Sequence, residues 1–324
     1  MTHQQRLAAV LALAVFAWFG AVARAEETYP IRPVRIVVGF GPGASADIAA
    51  RVLAQRMGQT LGQQFIIENR PGAGSNIASE YVARAPKDGY TLLFGTVANT
   101  INTTLSKNLT FDFSRDFAPV SLAVTLPNIL VVNPSLGVDS VADLIKLAKS
   151  KPQQIFFGSS GVGTSPHLSG ELFNEMAGVK LVHVPYPGSA QAVTDLLGGR
   201  VQVMFSPAST VLPHVTEGKL KALASTQLKR AGAAPNLPTM TEAGLDGFDT
   251  SVWFGLLAPA GTPPEIIAKL NRAVNDALTS DEVLALLRVQ GMDPLGGTPE
   301  AFAHTITSET AKWAHVIAAA GLQN

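Results

Sequence analysis

The chain contains no cysteine in 324 residues. That excludes disulfides, thiol catalysis, cysteine-bound metal and a lipid attached through cysteine. Neither sign of charge prevails, with 24 Lys and Arg against 24 Asp and Glu. Nucleic acids and anionic membrane surfaces want clustered excess Lys and Arg, so neither is an expected partner. Patterns for bond-breaking chemistry are also missing: Gly-x-Ser-x-Gly, His-Glu-x-x-His, the P-loop and any His/Asp cluster at metal-ligand spacing. No cofactor and no metal are expected.

Long apolar runs are confined to the beginning. Leu7 to Val22 is almost unbroken apolar, follows Arg6 and precedes Ala23-Arg-Ala25. At 16 residues it falls short of the roughly 20 that span a bilayer, and it has the layout of a secretory leader, with cleavage expected after Ala25. No Arg-Arg pair of a twin-arginine signal is present, so an exported, periplasmic protein that folds after translocation is expected. Without Arg6 and Arg24 the count is 22 basic against 24 acidic residues, a net charge near −2. With no interface motif, this points to a monomer.

What is present is a rhythm of strands and helices. Strands are expected at Ile36–Val38, Phe65–Glu68, Leu92–Gly95, Ile129–Val132, Ile155–Gly158, Leu181–His183, Val201–Phe205 and Phe254–Ala258. Apolar residues at helical spacing mark Asp47–Leu61, Asn76–Arg84, Val141–Ser150, His167–Ala177, Ser189–Gly198 and Pro263–Thr279. Ser140 with Asp143, and Thr262-Pro263-Pro264-Glu265, read as helix starts; Gly178 and Gly198-Gly199 read as stops. The alternation predicts an α/β protein with mostly parallel sheets. The rhythm pauses near Val124–Pro127 and again near Thr239–Val252, and one strand plus several helices remain, too little for a sheet of their own. Two lobes crossed more than once by the chain are therefore expected: residues 1–25 as leader, 26–124 with 250–324 as one lobe, and 125–249 as the other. Such lobes form a hinged clamp with the ligand between them.

Two glycine-rich turns stand between a strand and a helix. In Val34–Asp47 the β-branched run ends in Gly39-Phe-Gly-Pro-Gly-Ala-Ser-Ala-Asp47, and amide groups near Gly43, Ala44 and Ser45 face a helix start, where the dipole adds roughly half a positive charge. That is an anion site built without a basic side chain. A rival reading is a dinucleotide fingerprint, Gly39-x-Gly41-x-x-Ala44 with Glu68 as its acid, which would make the protein an exported oxidoreductase. Pro42 in the turn, the longer spacing to the acid and the leader count against it. The second turn, Phe157-Gly-Ser-Ser-Gly-Val-Gly-Thr-Ser-Pro-His167, offers amides and the hydroxyls of Ser159, Ser160, Thr164 and Ser165; alone it reads equally well as a solvated turn with Ser165 as helix cap. One such loop in each lobe favours a shared ligand. Asp47 suits its helix start with or without a ligand. His167, His183 and His214 read as isolated structural histidines, and Trp253 with Phe254 reads as core.

Several motifs then carry a resemblance. Tyr29-Pro-x-Arg-Pro-Val-Arg-Ile-Val-Val-Gly-Phe-x-Pro-Gly, Glu68-Asn-Arg-Pro-Gly-Ala-Gly-Ser-Asn76, Asp88-Gly-Tyr-Thr-Leu-Leu, Asp116-Phe-Ala-Pro-Val, His183-Val-Pro-Tyr and Trp253-Phe-Gly-Leu-Leu-Ala-Pro-Ala-Gly-Thr-Pro closely resemble the Bug-type substrate-binding proteins of tripartite tricarboxylate transporters. The likeness runs in order over nearly the whole chain after the leader. It implies a two-lobed, Venus-flytrap (type II-like) periplasmic-binding-protein fold, not an enzyme, that carries a small organic acid to membrane permease subunits. A di- or tricarboxylate and an aromatic carboxylate all remain open as ligands, as does recruitment of the same receptor to signal to a membrane kinase. It further implies that the carboxylate is held by amides, hydroxyls and bridging waters of the two loops. Carried over, these are Phe40, Gly43, Ala44, Ser45 and Asp47 in one loop, Ser159, Ser160, Gly163 and Thr164 in the other, and Asn99 with Asn102 in a loop after Leu92–Gly95. Two departures stand out: Ala44 replaces the second glycine of the usual Pro-Gly-Gly, and Ser206 stands where many relatives have Asp. Without an acid at 206 a ligand ammonium lacks a partner, so an unaminated acid is expected.

Overall fold

The computed structural model describes residues 29–322, so the expected leader and its cleavage site lie outside the described residues. In chain order the elements are β1 (Val34–Val38), α1 (Ser45–Leu61), β2 (Phe65–Asn69), α2 (Asn76–Ala83), β3 (Thr91–Thr96), α3 (Val97–Leu105) and β4 (Phe117–Leu126). Then follow β5 (Asn128–Val132), α4 (Val141–Ser150), β6 (Phe156–Ser159), α5 (Ser165–Ala177), β7 (Val182–Pro185), α6 (Ser189–Leu197), β8 (Val203–Pro207), α7 (Ala208–Thr216) and β9 (Lys221–Ser225). The chain closes with β10 (Val252–Pro259), α8 (Pro264–Leu278), α9 (Asp281–Val289), β11 (Asp293–Pro294) and α10 (Pro299–Ala319). One sheet has the order β11-β4-β10-β3-β1-β2, the other β7-β6-β8-β5-β9. The first sheet thus takes strands from both ends of the chain and the second from its middle.

All eight expected strands and all six expected helices lie on elements of the matching type. The expectation of mostly parallel sheets does not hold: β1 pairs parallel with β2 and β3, and β6 with β7 and β8, whereas the pairings of β10 with β3 and β4, β11 with β4, and β5 with β8 and β9 are antiparallel. The strands that carry the chain between sheets enter without a helical crossover and run against their neighbours. Elements not anticipated are β4, β9, β11, α3 and α7; α9 and α10 belong to the several helices expected after the last strand, without a range of their own. In β4, Pro119 disguises the strand; it sits opposite Leu257, where the register with β10 shifts and the missing N–H is tolerated. The β9 sequence Lys-Ala-Leu-Ala-Ser is weakly β-prone and survives at a sheet edge.

The core follows the period of two along β1. Ile36 and Val38 join Leu92, Phe94, Leu53, Met57, Leu270 and Leu287 on one face of the first sheet. Val37 and Leu93 point the other way, into a core that also holds Trp313, Phe302, Leu130, Phe157 and Phe173 and so reaches into the second sheet. Ile129, Val131 and Met204 pack with Leu196 and Val211 on the far face of the second sheet. Ser140 caps α4 by accepting from the Asp143 N–H at 3.1 Å, and Gly178 ends α5 in the left-handed region, as expected. Among the described residues no helix is long and apolar enough to cross a membrane.

Candidate functional site

A cavity of about 800 Å³ lies where the two sheets meet, within the roughly 300–1,000 Å³ range of small-molecule sites. The starts of six helices reach its wall: Ser45 of α1, Asn76 of α2, Val97 of α3, Ser165 of α5, Ser189 of α6 and Pro207 just before α7. Between them run apolar surfaces from Phe40, Val97, Ile101, Leu105, Val252, Phe254 and Leu322. No Asp, Glu, Lys, Arg or His is among the residues that line it. The site therefore offers an anion amides and helix dipoles rather than a charged partner, and it offers a cation no carboxylate.

The first loop is held from behind. Asp47 is 2% exposed and turns away from the cavity, accepting from the Gly43 N–H at 2.9 Å, from Asn69 Nδ2 at 2.8 Å and from Arg51 Nε at 3.0 Å. Burial works against its charge, yet the Arg51, Gly43 and Asn69 hydrogen bonds outweigh it and hold the carboxyl below its ordinary range. The Ala44 N–H turns back to Gly41 O at 3.2 Å, which leaves Ser45 and Ala46 with amides that the helix itself does not use. Gly39 is required here, because a Cβ would lie 2.0 Å from Ser75 Oγ.

The second loop is held by imidazoles. The Gly163 N–H donates to His167 Nδ1 at 3.0 Å, and Ser159 Oγ lies 2.6 Å from His183 Nε2. The two rings stack with centroids 3.8 Å apart and 21° between planes, so these histidines are not isolated as the sequence suggested; strands and helices distant in the chain bring them together. Burial, and then the neighbouring His167, push the His183 imidazole down to about 4. Gly161 N–H donates to Ser159 Oγ and Thr164 N–H to Gly161 O, while the amides of Ser160, Val162 and Ser165, residues of the cavity wall, have no acceptor among the described residues.

Of the residues named from sequence, Phe40, Ala44, Ser45, Asn102, Ser160, Gly163 and Thr164 line the cavity. Gly43, Asp47, Asn99, Ser159 and Ser206 do not; Gly43, Asp47 and Ser159 brace the loops, and Ser206 is fully buried with its hydroxyl unpaired. Asn99 and Asn102 stand on helix α3, not in a loop. Thr96 accepts from the Ala98 N–H while Asn99 Oδ1 accepts from the Thr96 N–H, a capping box that starts a helix in a sequence poor in helix formers. Asn102 Nδ2 donates to Gly74 O at 2.7 Å and so fixes the neighbouring turn. The wall of Val97, Ile101 and Leu105 was missed; its spacing of four was visible, but β-branched residues and asparagines masked the helix. Phe254 proved to be cavity wall as well as core. Glu68, the acid that a dinucleotide site would need, is paired with Arg35 and Arg70.

Two sheets joined by two adjacent crossings of the chain, with an uncharged cavity at their junction ringed by helix starts, define a two-lobed solute-binding protein. Residues 49–322 match the model of the tripartite tricarboxylate transporter family receptor, and the chain belongs to that family. Receptors of this family are periplasmic. BugT of Bordetella pertussis is 37% identical over 321 residues, covering 98% of each chain. An adipate-bound protein from Rhodopseudomonas palustris is 41% identical with a TM-score of 0.78, covering 90% of this chain and 98% of that one. MatC of the same organism, with bound malate, is 32% identical with a TM-score of 0.74, covering 89% of this chain and all (100%) of its own.

Proposed function

We propose that the cavity captures an unaminated dicarboxylate with an apolar middle and presents it to the permease subunits of its transporter. The observation that carries this reading is the lining: donors at both lobes, apolar surface between, and no charged side chain. One carboxylate fits the Ser45 and Ala46 amides with the start of α3; the other fits the Ser160, Val162 and Ser165 amides. Neutral donors hold an anion without the cost of burying an arginine. An ammonium would meet no carboxylate, which disfavours amino acids. Bound adipate and malate in the two R. palustris relatives support the class, and the apolar wall favours an adipate-like over a hydroxylated chain.

The lobes in this reading follow the sequence division at 124 and 250, moved by two residues to match the ends of β4 at Leu126 and the start of β10 at Val252. Export with cleavage after Ala25 and action as a monomer complete it. Titration calorimetry and thermal shift against adipate, malate, citrate, benzoate, glutamate and NAD test the proposal. Adipate at a hundred times its dissociation constant should stabilise the protein by about 2.7 kcal/mol. Micromolar glutamate binding with silence from every dicarboxylate would sink it.

A further inference from the structure

Between β4 in the first sheet and β5 in the second stands a single residue, Pro127. Val252, where the chain re-enters the first sheet, pairs with Leu126, so the two crossings run side by side. Asn128 occupies this junction and is fully buried. Its Nδ2 donates to Ser165 Oγ at 2.7 Å and to Thr250 O at 3.1 Å. One turn further along α5, Ser169 Oγ donates to Thr250 Oγ1 at 2.7 Å. Ser165 lines the ligand cavity, and Thr250 lies two residues before β10. A single carboxamide thus ties the ligand-facing end of α5 to both crossings.

The orientation of that amide is fixed, because only an N–H can serve the Thr250 carbonyl. Asn128 Oδ1 is left without a donor, and the hydroxyl of Thr226, whose N–H donates to Asn128 O at 3.0 Å, is also unpaired. Buried polar groups left unpaired are uncommon and call for a reason. Here an acceptor and a donor on adjoining segments of the second lobe both lie beside the crossings.

We infer that Asn128 is the positioning residue that couples capture of the ligand at α5 to closure of the hinge. It rests on the cavity being the ligand site. In this arrangement α5, Asn128 and Thr250 move as one body with the second sheet, and the bend falls at Pro127 and at Ser251. A pull on the Ser165 end by a bound carboxylate is passed to both crossings at once.

The chain has no cysteine, so Gln59→Cys and Gln191→Cys, one exposed site on each lobe, give a clean spin-label pair. Inter-lobe distances by pulsed dipolar spectroscopy and dissociation rates by stopped flow, each with adipate as probe, are compared for the wild type, Asn128→Ala, Thr250→Val and the core control Val193→Ala. Asn128→Ala should broaden the ligand-free distance distribution, halve the adipate-driven change and speed dissociation at least 10-fold with little change in association. Thr250→Val should do the same more weakly. Val193→Ala should lower the melting temperature and leave distances alone. Asn128→Ala behaving like Val193→Ala would overturn the inference. Should the wild type not bind adipate, the ligand reading fails separately, and the ligand-free distances still decide: a narrow distribution in Asn128→Ala refutes the coupling, a broad one supports it.

Discussion

The two loops that face the cavity reach one end by different chemistry. Each follows a strand, turns through glycines and opens a helix that starts at the cavity wall. The loop before α1 is braced by a carboxylate, Asp47, which gathers Gly43, Asn69 and Arg51. The loop before α5 is braced by a stacked imidazole pair, His167 and His183, which hold Gly163 and Ser159. Both keep ionisable groups behind the loop and out of the cavity, so the ligand meets only neutral donors. The difference teaches that the backbone presents the anion site, while the side chains behind it set the conditions under which the site survives.

Removing the carboxylate brace should have the largest effect. Asp47→Ala leaves the Gly43 N–H without its acceptor and the Asn69 amide with only Phe40 O, while Arg51, half exposed, turns to water. A loss of about 2–3 kcal/mol in urea unfolding is expected, together with more than 10-fold weaker adipate binding. An unchanged affinity would mean that the first loop needs no brace.

Acid should separate the loops. His183 takes up its proton near 6.5 when unfolded but only near 4 in the folded chain. Its contribution is therefore complete above pH 6.5 and is lost as pH falls toward 4. Asp47, shifted below 3.8, loses its contribution only at still lower pH. The second loop should fail first, at a cost of about 2 kcal/mol after allowing for partial solvent screening. Melting curves between pH 7 and pH 4 check this: His183→Gln should flatten the slope, and an equal slope in both proteins would rule out the imidazole brace.

The smallest effects belong to the loop hydroxyls. Ser45→Ala and Ser160→Ala keep every amide, so each should weaken adipate binding by only about 0.5–1 kcal/mol in calorimetry. A loss beyond 100-fold at either would show that hydroxyls, not amides, hold the anion.

The strand–glycine–helix turns were legible because their signals are local: β-branched runs, glycines that allow a left-handed backbone, and caps such as Ser140. The family motifs made the two-lobed architecture legible as well. Helix α3 was not, since Val-Ala-Asn-Thr-Ile-Asn-Thr-Thr-Leu has little helical propensity and is held by its capping box and by packing. Nor could sequence tell Asp47 and Ser159 as braces from Ser45 and Ser160 as lining, because two or one residue of separation around a tight turn reverses which way a group faces. By itself, then, the sequence determined the class of protein, the uncharged anion loops and where they sit in the chain. Only the tertiary structure decided which of their groups meet a ligand, that His167 and His183 stack, and that Asn128 joins three segments. Those relations depend on residues tens of positions apart being brought within hydrogen-bonding distance, which no local pattern encodes.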